Sequence, residues 1–355
     1  MFLEFSTQNY LVHTCKIWRM TLKYNNFGQT GLKVSEIGFG GAAIGYTSGE
    51  DEDQACITCV KKAIDFGINF FDTSPIYGRS EINLGRAINE RRDKIIVASK
   101  VRISDISDLG KMKTVISTSV EKSLVRLKTD YIDILQIHHQ VGDTRGKYQF
   151  RSNPPEFAPR LDFQDCIDFV HNVDHLIQSG KIRFIGLTGW DGDYKTLKML
   201  LESGKFSSIQ ILYNVLNQTA NGKHIISNSD YNQGSGNGSG NILDLAHANN
   251  IAVMGIRSLA DGAIVDNLNR KLNQQDKVNI DHRQAKELKA ILRREDLSLP
   301  QLALLFCLKN KKISSVITGL KTIKELEEII NIRSLDDLTI QNMNTIASWY
   351  DNISV

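Results

Sequence analysis

Four residues of complementary chemistry lie at the ends of three strand-like segments of the sequence. Asp72 and Tyr77 belong to "NFFDTSPIYG", Lys100 ends "IIVASK" and His138 ends "IDILQIH". Each alone has an ordinary structural explanation, because aspartates cap turns, lysines are usually solvated and histidines are often satisfied core residues. Together an acid, a phenol, an ammonium and an imidazole can move a proton to or from an oxygen atom. We therefore predict these four as catalytic residues.

Tyr77 is the predicted proton donor and acceptor of this group. A tyrosine with a pKa of ~10 needs a shift of about 3 units, or about 4 kcal/mol, to act near neutral pH. An ammonium at ~4 Å supplies roughly that amount at an effective dielectric constant of about 20. Lys100, held by Asp72, is therefore expected to lower the pKa of Tyr77. His138 would donate a hydrogen bond to a carbonyl oxygen, and the matching change at carbon is a hydride transfer, which requires a cofactor.

Eight strand-like segments alternate with amphipathic helical segments from Val34 onward. Parallel strands need crossover helices, and eight right-handed crossovers most naturally close into a barrel. The carboxyl ends of the strands then share one face, which would bring the four polar residues together. The sequence predicts a single α/β domain, a (β/α)8 TIM barrel, with strands in residues 34–41, 69–74, 95–101, 132–138, 184–189, 208–214, 251–257 and 313–320.

Three segments stand outside this alternation. Residues 139–163 follow the fourth strand and are expected to form a substrate wall at the barrel mouth. Residues 227–241 are rich in Gly, Ser and Asn and are interpreted as a flexible loop. Residues 1–19 are interpreted as a disordered N-terminal extension, and residues 20–355 as the barrel domain.

The glycine-rich stretch "IGFGGAA" at residues 37–43 has the spacing of the dinucleotide-binding motif of Rossmann domains. That motif works only where a helix begins at once and presents its amides to the pyrophosphate. Here the helical pattern starts near Asp51, after a polar segment, so the Rossmann interpretation is disfavoured. The glycines are instead expected to let backbone approach a ligand at the barrel mouth.

Bulk composition excludes other classes of protein. Apolar residues make up 41% and charged residues 23% of the 355 residues, as in ordinary globular proteins. A net charge of +3 is too mild for a nucleic-acid-binding surface. No apolar run reaches the roughly 20 residues needed to span a bilayer. We therefore predict a small-molecule partner, no nucleic acid and no membrane.

The cysteines indicate a reducing compartment rather than a disulfide framework. Five cysteines, an odd number, are spread over the long chain, which favours a cytoplasmic location. Cys56 and Cys59 form a C-x-x-C pair on one face of a helical segment. No second ligand pair lies near enough in sequence to complete a zinc site, so we interpret both as core residues and predict no metal site.

The chain from about residue 20 to residue 332 resembles the aldo-keto reductase family. The resemblance is carried by "FGQTGLKVSEIGFG" at 27–40, "FDTSPIYG" at 71–78, "ASK" at 98–100 and "LQIHH" at 135–139. It implies a barrel with an N-terminal β-hairpin cap and a C-terminal helical tail, and NADP or NAD bound extended across the mouth. It also implies Tyr77 as general acid and base for a carbonyl or alcohol substrate, Lys100 and Asp72 as its tuners, and His138 as carbonyl orienter.

The resemblance implies contacts at both ends of the cofactor. Gln210 matches the family's carboxamide-binding glutamine and Thr188 stands where a serine is usual, whereas Gly189 replaces the usual asparagine. The implied cofactor-binding residues are Gly41, Thr188, Gln210, Arg257, Leu259, Lys321, Thr322 and Glu328.

The adenosine end leaves the choice between NADP and NAD open. Lys321 and Thr322, with the free amides of a helix N-terminus, are expected to bind a 2′-phosphate, which favours NADP. Glu325 stands where an arginine or glutamine is common in the family, and its carboxylate would repel that phosphate and suit NAD.

Two segments point to a branch of the family and so to a substrate class. "YNVLNQTA" at 213–220 and "IRSLADGAI" at 256–264 are similar to members that act on galactose, fucose or arabinose, which implies an aldose or lactol. The alternative is a weakly active or non-enzymatic cofactor-binding subunit similar to the potassium-channel β subunits. The oligomeric state stays open.

Overall fold

The computed structural model describes residues 22–150, 156–223, 240–269 and 273–353. Within these ranges the chain forms a closed barrel of eight strands and two separate two-stranded sheets. The predicted extension of residues 1–19 and most of the predicted flexible loop of residues 227–241 lie outside the described residues.

The eight predicted barrel strands are all present. The strands of the described chain are β1 Tyr24–Asn26, β2 Lys33–Ser35, β3 Ile37–Gly40, β4 Phe70–Asp72, β5 Ile96–Val101, β6 Ile132–Ile137, β7 Gly146–Phe150, β8 Glu156–Arg160, β9 Ile182–Thr188, β10 Ser208–Leu212, β11 Ala252–Ile256 and β12 Ser315–Gly319. The barrel consists of β3 to β6 and β9 to β12, all parallel, and β12 closes the ring by pairing with β3. The predicted (β/α)8 barrel is confirmed.

Helices surround the barrel and follow its strands. In the described ranges they are α1 Glu50–Asp65, α2 Ser80–Ile88, α3 Met112–Leu127, α4 Phe163–Gln178, α5 Tyr194–Glu202, α6 Ile242–Ala248, α7 Lys277–Leu292, α8 Leu299–Lys309, α9 Ile323–Ile330 and α10 Ile340–Ile353. α10 is the predicted C-terminal helical tail and packs against α7. Among the residues with described coordinates, no helix is long and apolar enough to cross a membrane.

The N-terminal hairpin of β1 and β2 closes the lower end of the barrel, where the amino ends of the strands lie. Phe27, in the turn between these strands, packs edge to face on Phe70 of β4, with ring centroids 5.2 Å apart. The two rings are buried together with the side chains of Ala98, Ile134 and Met254 from other barrel strands. A second and larger apolar core lies between the strands and the helices. The lower part of the barrel is therefore filled by apolar side chains, and the polar strand ends lie at its opposite, carboxyl end.

The insertion after β6 forms a hairpin of β7 and β8, which pair antiparallel. Its base is fixed to the barrel by His139, whose Nδ1 lies 2.9 Å from the Pro159 carbonyl oxygen and whose Nε2 accepts from the Ile103 amide at 2.8 Å. Burial lowers the pKa of His139 to about 4, so the ring is neutral and Nδ1 donates. The hairpin therefore stands beside the carboxyl ends of β5 and β6, as expected for a wall of the mouth.

The glycine-rich stretch does not open a helix of the Rossmann type. A short 3-10 helix, Gly41–Gly45, follows β3, and α1 begins only at Glu50. At two of these glycines a Cβ would also meet the protein itself, and the approach of their backbone to a ligand stays a prediction. A Cβ on Gly40 would lie 3.1 Å from the Gly319 amide nitrogen, and one on Gly41 would lie 2.8 Å from the Asp72 carbonyl oxygen.

The interpretation of the cysteines as core residues agrees with the structure. Cys56, Cys59, Cys166 and Cys307 are buried free thiols. No group of His, Cys, Asp and Glu side chains in the described ranges could hold a metal ion. Cys56 and Cys59 thus fill space on the inner face of α1.

We expect iodoacetamide to leave these four thiols unmodified in the folded protein at mildly alkaline pH and to modify them after unfolding in urea. Burial raises the pKa of Cys59 to about 12 and also raises the pKa of Cys166 and Cys307, so the reactive thiolate is scarce. Cys15, which lies outside the described residues, is replaced by serine beforehand. Peptide mass spectrometry gives the modified fraction, and labelling of any of the four at the rate of free cysteine would contradict the prediction.

Candidate active site

The barrel brings the four predicted catalytic residues to one place. Asp72 is the last residue of β4, Lys100 lies in β5 and His138 directly follows β6. Tyr77 lies in the loop between β4 and α2. Because β4, β5 and β6 are neighbours in the barrel, three consecutive strands position all four side chains.

Asp72 and Lys100 form a buried ion pair at the centre of the site. Lys100 Nζ lies 2.8 Å from Oδ1 and 2.7 Å from Oδ2 of Asp72, and it also donates to the Thr73 carbonyl oxygen at 2.9 Å. Burial lowers the pKa of Lys100, but the charge and hydrogen bonds of its neighbours more than compensate and raise the pKa above its ordinary value. Lys100 is therefore a cation, held in one position although its side chain is only 1% exposed.

Tyr77 lies next to Lys100, whose Nζ is 4.8 Å from the centroid of the phenol ring. The expected net lowering of the Tyr77 pKa is wrong for the protein without cofactor. Burial raises the pKa of Tyr77 above its usual value by more than Lys100 lowers it, and the Asp72 carboxylate raises it further. Tyr77 is therefore protonated at neutral pH, which suits a proton donor.

His138 is a neutral imidazole. Burial, and after it the charge of Lys100, lowers the pKa of His138 well below its ordinary range. Nδ1 lies 3.3 Å from Ser74 Oγ, and the ring stands edge to face with Tyr77 at a centroid distance of 5.9 Å. A neutral imidazole donates through one nitrogen only. His138 can therefore orient a carbonyl oxygen next to the Tyr77 hydroxyl without itself carrying charge.

Two buried glutamines also donate to Asp72. Gln210 Nε2 lies 2.8 Å and Gln136 Nε2 3.0 Å from Oδ1 of the carboxylate. The structure thus places Gln210, predicted to bind the cofactor carboxamide, against the catalytic group. Gln136 was missed by the sequence analysis, although a polar residue inside the apolar strand "IDILQIH" was a signal that it serves a polar partner.

Thr188 and Gly189, at the end of β9, test whether a nicotinamide cofactor fits. Thr188 Oγ1 is buried and has no hydrogen-bond partner among the described residues. A buried hydroxyl without a partner is costly, so a ligand carboxamide would satisfy it. A Cβ on Gly189 would lie 2.4 Å from Ile209 Cδ1, which explains why the family's asparagine has no room here. Thr188 and Gln210 would therefore hold the carboxamide without that asparagine.

Arg257 and Leu259, both predicted cofactor contacts, lie just after β11. Arg257 has a left-handed backbone with φ +57°, which is uncommon outside glycine. Its guanidinium forms an ion pair with Asp261 and lies 5.2 Å from the centroid of the Trp190 ring. The charge of Arg257 also acts to lower the pKa of Tyr77, although burial outweighs it. Leu259 is half-buried against the main core.

Lys321 and Thr322 are engaged by the protein's own carboxylates. Lys321 Nζ lies 2.5 Å from Glu52 Oε1 and donates to the Tyr46 carbonyl oxygen at 3.0 Å. The Lys321 and Thr322 amides donate to Glu325 Oε2 at 2.8 and 3.0 Å. The Lys321 and Thr322 amides, which precede the helix, are therefore taken by the Glu325 carboxylate, and binding of a phosphate at this helix N-terminus stays a prediction.

The other two predicted cofactor contacts have internal roles in the structure. Gly41 packs so closely on the chain that a Cβ would lie 2.7 Å from Ser80 Oγ. Glu328 lies on α9, and its backbone carbonyl accepts from Gln301 Nε2 at 3.2 Å. Their contacts with a cofactor stay predictions.

The fold is a (β/α)8 barrel, and its carboxyl end holds an ion-paired lysine beside a protonated tyrosine. This combination is typical of an oxidoreductase built on a barrel. The model of the Aldo/keto reductase family matches residues 36–351. The chain belongs to the aldo-keto reductase family, and as a member it is an NAD(P)-dependent oxidoreductase whose cofactor is NADP or NAD, as predicted.

Relatives of known name cover nearly the whole chain. L-galactose dehydrogenase of Arabidopsis thaliana is 29% identical over 330 residues, 89% of each chain. A probable voltage-gated potassium channel subunit beta of the same plant is 25% identical over 342 residues, 89% of this chain and 92% of its own. The holo form of an aldo-keto reductase from Bacillus halodurans superposes with a TM-score of 0.66 at 24% identity, covering 93% of this chain and 96% of its own.

The loop that carries Tyr77 packs directly on Gly45. A Cβ on Gly45 would lie 1.8 Å from the Tyr77 carbonyl oxygen, and one on Gly78 would lie 2.4 Å from the Gly45 oxygen. Gly78 also has φ +53°, which favours glycine. These two glycines let the segment after β3 and the tyrosine loop touch, and this contact fixes Tyr77 relative to the lysine.

We expect Gly45→Ala to displace the tyrosine loop, because its methyl group overlaps the Tyr77 carbonyl. The variant should lose about 1–3 kcal/mol of unfolding free energy in urea, as overpacked sites do. Its turnover should fall by about 10²-fold, the effect of a displacement of roughly 1 Å at a reacting group. Gly110→Ala is the matched control, because nothing lies within 4 Å of the Cβ it adds. Wild-type stability and turnover in Gly45→Ala would show that the contact does not position Tyr77.

Proposed function

We propose that the protein transfers hydride between a nicotinamide and the carbonyl or alcohol carbon of an aldehyde, ketone or aldose, with Tyr77 as the proton donor or acceptor. The observation that carries this proposal is the buried ion pair of Asp72 and Lys100 next to the Tyr77 ring. The cofactor, when bound, supplies or takes up the hydride. Proton transfer at oxygen falls to the side chains of this chain.

The protonation state of the site favours carbonyl reduction, because the proton donor already carries its proton. Tyr77 is protonated and can give its proton to the substrate oxygen as that oxygen gains charge. Lys100 then stabilises the phenolate that remains, since its ammonium lies next to the Tyr77 ring and its charge favours the anion. His138, neutral and beside the phenol ring, orients the oxygen. In alcohol oxidation the same residues act in reverse.

We expect Tyr77→Phe to abolish reduction while cofactor binding is retained. The variant keeps the ring but loses the proton donor, and loss of a general acid lowers kcat by about 10²–10⁴-fold. The measurement is the absorbance of NADH or NADPH with aldehydes and aldoses, together with cofactor binding by tryptophan fluorescence. Tyr24→Phe is the matched control, because Tyr24 is 47% exposed and lies in β1 of the N-terminal hairpin, at the opposite end of the barrel. Turnover in Tyr77→Phe within a few-fold of wild type would assign the proton to another group.

The same assay gives a pH dependence. Because burial lowers the pKa of His138 well below its ordinary value, the wild-type kcat/KM for reduction should be flat around pH ~6.5, where an ordinary histidine titrates. A step at that pH that disappears in His138→Gln would show that the imidazole carries a proton during turnover.

The second candidate function is a cofactor-binding subunit with little turnover. It is favoured by the relative named as a potassium channel subunit beta, which covers 89% of this chain. The complete tetrad supports the enzyme instead, because a binding role needs no proton donor next to a lysine. Tight cofactor binding by a wild-type protein that reduces none of the carbonyls in the panel would support the subunit.

The substrate class that we favour is an aldose or lactol. It is supported by the similarity to a protein named L-galactose dehydrogenase over 89% of both chains. Trp190, which is half-buried, follows β9 and Arg257 follows β11 at the carboxyl end of the barrel, and an aromatic ring with a guanidinium 5.2 Å from its centroid suits a polyhydroxylated ligand. We place the enzyme in the cytoplasm, in line with the free thiols of its described cysteines.

The adenosine end supports NAD as the preferred cofactor. Glu325 already accepts from the amides of Lys321 and Thr322, the two residues that precede α9, and its carboxylate would lie next to a 2′-phosphate bound there. Lys321, the nearest cation, is committed to Glu52, and its hydrogen bond is the main cause that lowers the pKa of Glu52 to about 2. A 2′-phosphate would therefore meet two carboxylates and compete with both for their partners, whereas a ribose hydroxyl carries no charge.

We expect wild-type protein to bind NADH more tightly than NADPH, and Glu325→Gln to narrow that difference by roughly tenfold. The amide keeps a hydrogen-bond acceptor but removes the charge that opposes the phosphate, and each tenfold change corresponds to about 1.4 kcal/mol. Glu327→Gln is the matched control, because it removes the same charge from an exposed position of the same helix. Affinities follow from fluorescence titration, and equal changes in the two variants would contradict the assignment to Glu325.

A further inference from the structure

The carboxylate of Asp72 is held from three sides. Its Oδ1 accepts from Lys100 Nζ at 2.8 Å, from Gln210 Nε2 at 2.8 Å and from Gln136 Nε2 at 3.0 Å. The three donors come from the neighbouring strands β5 and β6 and from β10, which is separated from β6 by β9. The carboxylate is thereby fixed in position as well as in charge.

Gln136 is built into the barrel so that it reaches this carboxylate. It is 0% exposed in β6, and its register partner on β9 is Gly186. A Cβ on Gly186 would lie 3.2 Å from Gln136 Cγ, so the missing side chain leaves the space that the glutamine occupies. The glutamine on β6 and the glycine opposite it on β9 together allow the Gln136 amide to reach Asp72.

The oxygen of the Gln136 amide indicates that this residue does more than fill space in the barrel. Its Oε1 is buried and has no hydrogen-bond partner among the described residues. Leaving a buried amide oxygen unpaired is unfavourable, and an apolar side chain of the same size would avoid that cost. A residue kept here for stability alone would be a leucine or methionine.

We propose that Gln136 is a positioning residue for the reaction, whose amide fixes the Asp72 carboxylate so that the Lys100 ammonium stays aimed at Tyr77. The proposal rests on the proposed function of Tyr77 as proton donor. Gln136 acts through Asp72 and does not touch the reacting atoms. Its amide dipole also offsets part of the carboxylate charge that opposes Lys100 at the phenol.

The test is a double-mutant cycle of Gln136→Leu and Asp72→Asn, with NADH or NADPH and glyceraldehyde as the probe. We expect Gln136→Leu to lower kcat roughly tenfold in the wild-type background, with KM nearly unchanged, and less than about twofold in the Asp72→Asn background. Unfolding in urea should show wild-type or higher stability. Gln218→Leu is the matched control, because this buried glutamine donates to the Val215 carbonyl instead.

A second measurement needs no turnover. In protein labelled with ¹³C at the tyrosine Cζ, the Tyr77 signal is identified by its loss in Tyr77→Phe, and its titration is followed in wild type and variants. The charged groups that face it are Lys100, Asp72 and Arg257, all unaltered in Gln136→Leu. We expect the midpoint to rise by about half a pH unit in Gln136→Leu and to stay unchanged in Gln218→Leu.

Equal losses of kcat in both backgrounds would overturn the proposal, because Gln136 would then act independently of Asp72. An unchanged kcat in the wild-type background would overturn it as well. If wild type reduces no carbonyl, the proposed function fails, and the Tyr77 titration alone decides the positioning role. A midpoint that moves supports the role, and one that does not move refutes it.

Discussion

The buried ion pair between Lys100 and Asp72 is the interaction on which the rest of the site depends. An ammonium has three N–H donors, and the two carboxylate oxygens of Asp72 and the Thr73 carbonyl oxygen accept from Lys100 Nζ. Burying two charges is expensive, and the mutual attraction repays the cost only when the remaining hydrogen bonds are also made. The two glutamines on Asp72 complete that requirement. Such a group is weak evidence for stability but strong evidence for a site that needs a fixed cation.

The barrel provides what this ion pair needs. Its lower half is filled by apolar side chains, so water has no access from below. The carboxyl ends of neighbouring strands then place an acid, a lysine and a histidine within reach of one another, because parallel strands in register end at one level. The tyrosine comes from a loop, whose position the register of the strands does not fix. The contact of Gly78 with Gly45 fixes the loop instead, since a Cβ on either glycine would overlap the backbone of the other segment.

Much of the fold and of the catalytic group could be predicted from the sequence, for a physical reason. Strand and helix periodicities are local signals, and barrel closure makes every strand end a neighbour of the site. The sign of the Tyr77 pKa shift could not be predicted in this way, because it is a balance between burial and Lys100 that requires coordinates. The partners of Asp72 from β6 and β10 are long-range contacts without a local signature beyond a polar residue in an apolar strand. The capping of α9 by Glu325 did have a local signature, the T-x-x-E pattern that begins at Thr322. The same residues also match the family motif for phosphate binding, so the sequence was consistent with both roles.

The catalytic and adenosine ends of the mouth follow one electrostatic rule. A charged side chain acts on a ligand to the extent that its neighbours leave its charge and donors uncompensated. Lys100 has Asp72 and the Thr73 carbonyl on its ammonium, and two glutamine amides share the charge of that carboxylate. Lys321 has Glu52 and the Tyr46 carbonyl on its ammonium. The two lysines therefore have the same kinds of partner and differ in their surroundings, because the Lys100 side chain is fully buried next to the Tyr77 ring whereas the Lys321 side chain is 32% exposed, where solvent screens its charge.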